Sequence, residues 1–598
     1  MSYTKHKEKS PQDTIFEIRQ ILNRAGIFTV LNHIDNEYKG AYSNRISLYP
    51  SKLLGQNGKG TDELFATASG YAELMERIQN NALDQRLHTK ELREYVGFWD
   101  FPDEKIIPIN ELLSQDDSYL NNIFQKLGYV FQWQREGLLE TLAQKYYGRF
   151  DGTINAVPYV DVFGDRIIYL PLALIKLFAF TNGMTAGNTL EEALVQGISE
   201  VYERHVNKIL IGGGHTPPEI PREYLNRYGL NNLIEQIESS GRYKVSVRDC
   251  SLGKDYPVTA TIIRDLERGT FGVKFGCHPS LAISIERTLT EAFQGKTIEN
   301  FTSNNKFGSR SEIEDYHNAF NAMKVGYGFF PPELLTGKPS WEFSDATWEN
   351  WKSATNGEYL KKLVAHVKAQ GYHLLIRDSS YMGFKSYHVL ISEIHNIVAF
   401  SDTRIREFWT QLNVAESLNH FPSLTDEEER RLLRFIRFKE NSVESRMGLL
   451  FMHYFTGNLF TPLKFAAYLS LKRGEYSTAE KYFRRLIAND DEKNYFRCLA
   501  DFSKLLAQGL SVEDAHEKIK YLYREDIASR VVDDTEDLNK VLTKVFPQMK
   551  CFDCKNCALA WIHCEYPIID EIYRKIKSAM KESKVSQEIL ASDLKRVI

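Results

Sequence analysis

Two spacings of apolar side chains alternate over the first four hundred residues. Segments 62–80, 189–210 and 281–294 repeat them every three or four positions, which predicts amphipathic helices. "YKVSVRDC", "VTATIIRD", "FGVKFGC" and "NIVAFSD" are short β-branched and aromatic runs, which predict strands. The clusters "GGGHTPPEIP" (212–221) and "GYGFFPPELLTGKPS" (326–340) predict loops. From about residue 425 the strand signals end and helical periods continue alone. The expected architecture is an α/β (α+β) domain over 1–420, helices packed on sheets, followed by an all-α region over 425–598.

In that second region, "LSLKRGEYSTAEKYFRRLI" (469–487) reads as a helix, a tight turn at Gly474 and a second helix bearing Ala479 and Phe483. The small-then-aromatic offset resembles a tetratricopeptide unit, and a generic helical hairpin accounts for it equally. Either reading makes the region a docking or dimerisation module rather than a catalytic one.

Composition narrows the function classes. With 598 residues, 43% hydrophobic and 26% charged, the chain has the core-forming capacity of two or three domains. A net charge of −4 argues against a basic coat for nucleic acid. The opening "MSYTKHKEKSPQDT" lacks the apolar core of a signal peptide, and the apolar run "IIYLPLALIKLFAF" (167–180) is interrupted by Pro171 and Lys176, so no membrane span is expected. Four of the seven cysteines crowd into 551–564 and the rest are scattered, which points to a reducing, cytoplasmic compartment.

Candidate chemistry lies on the helices. On the first, Leu64, Ala68, Tyr71, Met75 and Ile78 form an apolar stripe, and Ser69, Glu73, Glu76 and Asn80 a polar one. On the second, Leu190, Leu194, Ile198 and Val201 oppose Glu192, Gln196, Glu200, Glu203 and Asn207. Each copy has glycine three residues before a Glu-x-x-Glu pair (Gly70, Gly197) and arginine directly after it (Arg77, Arg204). One reading is a solvated helix face, with Thr189 and Glu192 forming a capping box. The other gathers four carboxylates from facing helices around a hard cation such as Mg²⁺, with the turn "NGMTAGNT" offering backbone N–H groups to phosphate and the arginines clamping it. A nucleoside triphosphate with magnesium would satisfy that arrangement, although no Walker loop or kinase signature is present. On the third helix Ala282, Ile285, Leu289 and Ala292 face the core, leaving Arg287 and Glu291 stacked as a surface ion pair worth a few tenths of a kcal/mol.

Together, "KGTDELFATASGYAELMERI", "NGMTAGNTLEEALVQGISEVYERHV" and "FGCHPSLAISIERTLTEAFQGK" resemble, in order and spacing, the three nucleotide-site blocks of the YcaO family. The resemblance covers about residues 1–400 and implies ATP- and Mg²⁺-dependent activation of a peptide backbone amide. It implies magnesium ligation by Glu73, Glu76, Glu200 and Glu203, with Glu192 as a further ligand. It also implies nucleotide contacts from Ser69, Glu76, Asn188, Gln196, Arg204, Arg287 and Glu291, with Thr185 near the phosphates and Lys7 and Thr14 in the family's N-terminal lysine and hydroxyl places. No side-chain nucleophile is required. The ending "ASDLKRVI" lacks the proline-rich tail of the peptide cyclodehydratases. The helical C-terminal region instead resembles stand-alone bacterial members associated with β-methylthiolation of a small-subunit ribosomal protein. That implies a ribosomal-protein or peptide substrate, a radical methylthiotransferase partner and a homodimer. The alternatives are a nucleotide-regulated accessory protein without turnover, or an azoline- or thioamide-forming enzyme.

Three further signals stand apart. Cys551, Cys554, Cys557 and Cys564 have spacing that suits Zn²⁺, and also suits packed or redox-labile thiols. "GGGH" (212–215) is followed by Thr-Pro-Pro rather than a helix start, which reads as a surface loop. His205 and His278 read as structural histidines beside the motifs.

Overall fold

The computed structural model describes residues 6–83, 101–115, 118–315, 326–397, 401–419, 423–438, 462–487, 492–545 and 565–598, with 318, 321–323 and 421 besides. The chain forms two compact units. The first comprises Met1–Asp84, Gly97–Arg404 and Ile569–Ile598, and the second centres on Ile405–Ile568.

In the first unit, strands β1 (Phe28–His33), β2 (Tyr42–Tyr49) and β3 (Gly55–Gly60) form an antiparallel sheet in that order. Next along the chain come β4 (Lys105–Pro108), β5 (Thr153–Asp161), β6 (Arg166–Leu170) and β7 (Met184–Ala186). Strands β8 (Tyr243–Asp249), β9 (Val258–Asp265) and β10 (Thr270–Cys277) make a second antiparallel sheet with β9 central, and β11 (Lys306–Phe307) pairs in parallel with β12 (Phe329–Phe330). The hairpin β13 (Leu374–Asp378) and β14 (Ser386–Ile391) completes a six-stranded sheet of order β4-β5-β13-β14-β7, with β6 beside β5.

Helices α1 (Pro11–Arg24), α2 (Glu63–Gln79), α3 (Leu190–Ile211), α4 (Leu281–Ala292) and α5 (Asn356–Ala369) pack around these sheets, joined by α6 (Tyr566–Lys581) and α7 (Gln587–Val597). Asp62 and Thr189 cap α2 and α3, accepting from Phe65 N and Glu192 N. Helix α3 runs through a large core: Leu194, Ile198 and Val201 are fully buried among residues of β10, β14 and α5. The mixed sheet-and-helix architecture agrees with the expected fold class.

Two expectations differ from the structure. Residues 569–598 join the first unit rather than the region beginning at 425. Periodicity reports an element's type but not which core it enters, and Leu590 and Leu594 of α7 are buried in the core around α3. "NIVAFSD" is not a strand in its described part. Strand β14 ends at Ile391, Ile397 N makes a single bond to Phe178 O, and Asp402 opens a helix that runs to Asn419.

Every described element of the second unit is a helix. Helices Pro462–Lys472 and Tyr476–Leu486 form the expected hairpin, turning through Gly474 at φ +71°, with Ala479 and Phe483 fully buried.

Candidate functional site

The glycine preceding each Glu-x-x-Glu pair is a packing device. A Cβ on Gly197 would meet Thr185 Cγ2 and Val389 Cγ2 at 2.9 Å, so its absence lets α3 lie directly on β7 and β14. Gly70 faces β2 and β3 in the same way: a Cβ there would meet Ile46 Cγ1 at 2.9 Å, and one on Gly58 would sit inside the contact radius of Ala66 O. The glycines therefore seat α2 and α3 against their sheets at the height of the carboxylates.

Those carboxylates are not a solvated face. Glu203 is buried and the Glu76 side chain is 12% exposed. Glu73, Glu76, Glu200 and Glu203 lie in one electrostatic neighbourhood. Burial first, then Glu200 and Glu73, push the Glu76 carboxyl up despite Arg77, and burial with Glu203 and Glu73 raises Glu200 despite Arg204 and Arg77. Leu64, expected in the core stripe, is instead 45% exposed.

Glu291 brings in two residues that periodicity does not reveal. It accepts from Lys59 of β3 and, at 2.7 Å, from Lys274 of β10. Arg287 does not pair with it as expected: its Nη1 donates to Cys277 O at 2.6 Å. Burial lowers Lys274 to about 7 and Lys59 to about 8, although Glu203 pulls both upward. Burial also lowers Arg287. Five carboxylates (Glu73, Glu76, Glu200, Glu203, Glu291) thus lie among five basic side chains (Lys59, Arg77, Arg204, Lys274, Arg287). The charge of the carboxylate cluster is met in part by the chain's own basic side chains. Among the described residues no trio of carboxylate, imidazole or thiol groups is gathered to hold a metal. Glu76 and Glu73 turn toward Arg77, at 3.1 and 3.7 Å.

The donor set nevertheless fits a magnesium–phosphate ligand. Its oxygen-only carboxylates suit a hard divalent ion. Arg204 Nε is buried without a hydrogen bond, which leaves a guanidinium donor for an anion, while Arg77 Nη1 lies 3.1 Å from Glu76 Oε1.

The N-terminal candidates converge on the start of α3. Lys7 Nζ donates to Glu192 Oε1 at 2.9 Å, Glu8 N to Glu192 Oε2 at 3.2 Å, and Thr14 Oγ1 to Asn188 Oδ1 at 2.9 Å. Asn188 Nδ2 donates to both Glu192 oxygens, at 3.3 and 3.1 Å. Burial would raise the Glu192 carboxyl, but Lys7, Asn188 and Glu8 N outweigh it and hold it low. Glu192 is therefore saturated by the chain's own donors, and its side chain fastens the N-terminal segment rather than completing a capping box.

Residues 57–395 match the family model described as YcaO cyclodehydratase, ATP- and Mg²⁺-binding. The chain belongs to the YcaO family. It is 26% identical over 532 residues to the ribosomal protein S12 methylthiotransferase accessory factor YcaO of Escherichia coli, covering 86% of this chain and 88% of that one. It is 28% identical over 401 residues to an uncharacterized protein of Haemophilus influenzae, covering 66% of each, so it spans just under two thirds of that relative. Similar solved structures include a heterocyclase in complex with substrate and cofactor (17% identity, TM-score 0.46, 66% of this chain and 53% of that one). Another is YcaO from Methanopyrus kandleri bound with AMPPCP and Mg²⁺ (17% identity, TM-score 0.39, 65% and 92%).

Not every expected residue of the YcaO site falls in the basin. Thr185 is fully buried and its hydroxyl donates to Ala193 O at 2.8 Å, so that side chain belongs to the seat of α3 and not to a phosphate. Ser69 and Gln196 are half-buried on α2 and α3. His278 and His205 are held neutral by burial, the latter at about 4, in keeping with structural roles. Cys551, Cys554, Cys557 and Cys564 lie outside the described residues, so the zinc reading gains no support from the fold. Lys59 and Lys274 are the residues missed. The one available signal was a lysine interrupting the otherwise uncharged "FGVKFGC". No described helix is long and apolar enough to cross a membrane.

Proposed function

We propose that this YcaO protein binds ATP with Mg²⁺ in the basin between α2, α3 and α4 and uses it to activate a peptide backbone amide by phosphorylation. The observation that carries the reading is Arg204 Nε, a buried guanidinium donor left without an acceptor, set among buried carboxylates. Glu73, Glu76, Glu200 and Glu203 would hold the metal, which when bound neutralises phosphate charge. Arg77, Arg204 and Arg287 would orient phosphate oxygens and stabilise charge as the phosphoryl group moves. Lys59 and Lys274, anchored on Glu291, would add positive charge on the β3 and β10 side. Lys7, Thr14, Asn188 and Glu192 would close the N-terminal segment over the nucleotide.

In the reaction a nucleophile adds to the amide carbonyl, the resulting oxyanion takes the γ-phosphoryl group with release of ADP, and phosphate then leaves with the former carbonyl oxygen. The name of the Escherichia coli relative, a ribosomal protein S12 methylthiotransferase accessory factor, supports a place for this chain beside a methylthiotransferase that acts on a ribosomal protein, and the reaction we propose it serves there is β-methylthiolation. The same word, accessory, supports the second reading, in which nucleotide binding regulates a partner without amide turnover.

Calorimetric titration of MgATP tests the site. Saturable binding in the wild type, lost in folded Glu203→Ala and Glu73→Ala proteins, is the expected result. Absence of binding in the wild type would overturn it. Phosphate release that depends on an added ribosomal-protein peptide separates the enzyme from the regulated partner.

A further inference from the structure

A groove of about 670 Å³ lies on the first unit, away from the carboxylate basin, between the C-terminal end of α1, the β13–β14 turn and the α6–α7 pair. Its volume is within the range of about 300–1,000 Å³ used by ligand sites. Four cations line it, Arg24, Lys385, Lys575 and Lys584, against two carboxylates, Asp378 and Glu582, on a chain whose net charge is −4. Lys575 is paired with Glu571 at 2.7 Å. Arg24, Lys385 and Lys584 are exposed and make no ion pair among the described residues. Asp378 Oδ1 accepts from Ser380 N at 2.8 Å, and Glu582 is the exposed carboxylate of the lining.

Between the cations the surface is apolar. Ile21, Met382, Val585 and Ile589 contribute to the lining, and Ile589 is 60% exposed, a large aliphatic side chain standing beside lysines. Cations interleaved with aliphatic side chains along an open groove suit an extended chain whose side chains alternate in character, not a compact anion.

The groove is built on the elements that build the candidate nucleotide site. Gln79, on α2 one turn past Glu76, accepts from Met382 N at 2.7 Å and donates to Phe384 O at 2.8 Å, which fixes the β13–β14 turn. Helix α1 bonds Asn188 through Thr14 at one end and contributes Arg24 to the groove at the other. Those ten residues of helix span roughly 15 Å, a distance that about five residues of extended peptide cover.

From this geometry we infer that the groove docks an acidic, aliphatic-containing peptide segment of a partner or substrate protein in extended conformation. Its carboxylates meet Arg24, Lys385 and Lys584, and its alternate aliphatic side chains rest on Ile589 and Met382. The inference goes beyond the nucleotide reading and does not require it.

The test is fluorescence anisotropy on the full chain, without nucleotide, with a labelled peptide of about ten residues alternating glutamate and leucine. Saturable binding is expected, weakened at least tenfold by Lys385→Glu with Lys584→Glu and by raised salt, and weakened separately by Ile589→Asp. All three positions are exposed, and circular dichroism checks that the variants keep their fold. Retention of binding in Glu203→Ala shows the groove acting apart from the nucleotide site, so failure of one reading leaves the other standing. Three results would overturn the inference: no binding, equal binding of the peptide with lysine in place of glutamate, or tighter binding of a labelled oligouridylate that the same charge reversals abolish.

Discussion

Gln587 grips Asp378 by both of that residue's backbone polar groups. Its Oε1 accepts from Asp378 N at 2.9 Å and its Nε2 donates to Asp378 O at 2.9 Å. The same Nε2 reaches Asp103 Oδ2 at 3.2 Å, and Asp103 Oδ1 in turn accepts from Arg377 Nη2 and Tyr381 OH, each at 2.6 Å. Gln587 is 4% exposed, so this first residue of α7 replaces a missing neighbouring strand at the end of β13. Gln587→Ala leaves an N–H and a C=O unpaired there. We expect a loss of about 2–4 kcal/mol of stability and faster hydrogen exchange at the Asp378 amide, with α5 amides unchanged below the unfolding transition.

The glycines of the motif make a graded prediction. Gly58→Ala drives a Cβ into the backbone of α2 at Ala66 and Gly70, which cannot rotate away, so a cost above about 3 kcal/mol or failure to fold is expected. Gly70→Ala meets first Ile46 Cγ1, a side-chain atom at 2.9 Å, and should cost about 1–3 kcal/mol. Gly137, inside the helix Gln132–Leu142 with nothing within 4 Å of an added Cβ, is the control: Gly137→Ala should stabilise by about 0.5–1 kcal/mol. Urea midpoints of the three variants check the order.

Much of the candidate site was legible because helices write their faces into sequence. Glu73 with Glu76, and Glu200 with Glu203, fall on shared faces by spacing alone, and the three blocks carry the family resemblance. The glycine spacing was visible as a pattern, but its cause, the close seat of α2 and α3 on β-strands, needed three dimensions. Lys59 and Lys274 were not legible as a pair: they reach Glu291 from two different sheets, Lys59 across 232 positions of sequence. The home of α7 was equally hidden, since an amphipathic helix states that it has an apolar face but not which core receives it.

Asp249 gives a pH dependence far from the motif carboxylates. It is 1% exposed, and burial raises its carboxyl from 3.8 to about 6 against the pull of Ser251 and Trp341. Between these values the folded state holds a proton that the unfolded state releases. The stabilisation this represents is therefore full below the unfolded pKa and is lost as pH rises through about 6. Two pKa units correspond to about 3 kcal/mol, as an order of magnitude. In Asp249→Asn, the fall in stability between about pH 4 and 6 should flatten by that order relative to wild type, measured as urea midpoints against pH. An unchanged slope would show that Asp249 titrates normally.

The N-terminal segment is held at Glu192, and its release should be separable from loss of the basin. Both Glu192 oxygens are occupied, by Lys7 and Asn188 on one side and by Glu8 N and Asn188 on the other. Glu192→Gln keeps the shape but removes the charge that attracts Lys7, and its amide nitrogen cannot accept from either Glu8 N or Asn188. Trypsin should then cleave after Lys7 and Lys9 at least severalfold faster than in wild type, while the cleavage rate elsewhere in the first unit stays the same. If the segment closes over the nucleotide, MgATP protects these bonds in the wild type and not in Glu192→Gln. MgATP affinity in the variant should fall by a smaller factor than in Glu203→Ala, because Glu192 fastens a strap whereas Glu203 lies in the basin itself. Equal losses in the two variants would instead make Glu192 a direct ligand of the bound group.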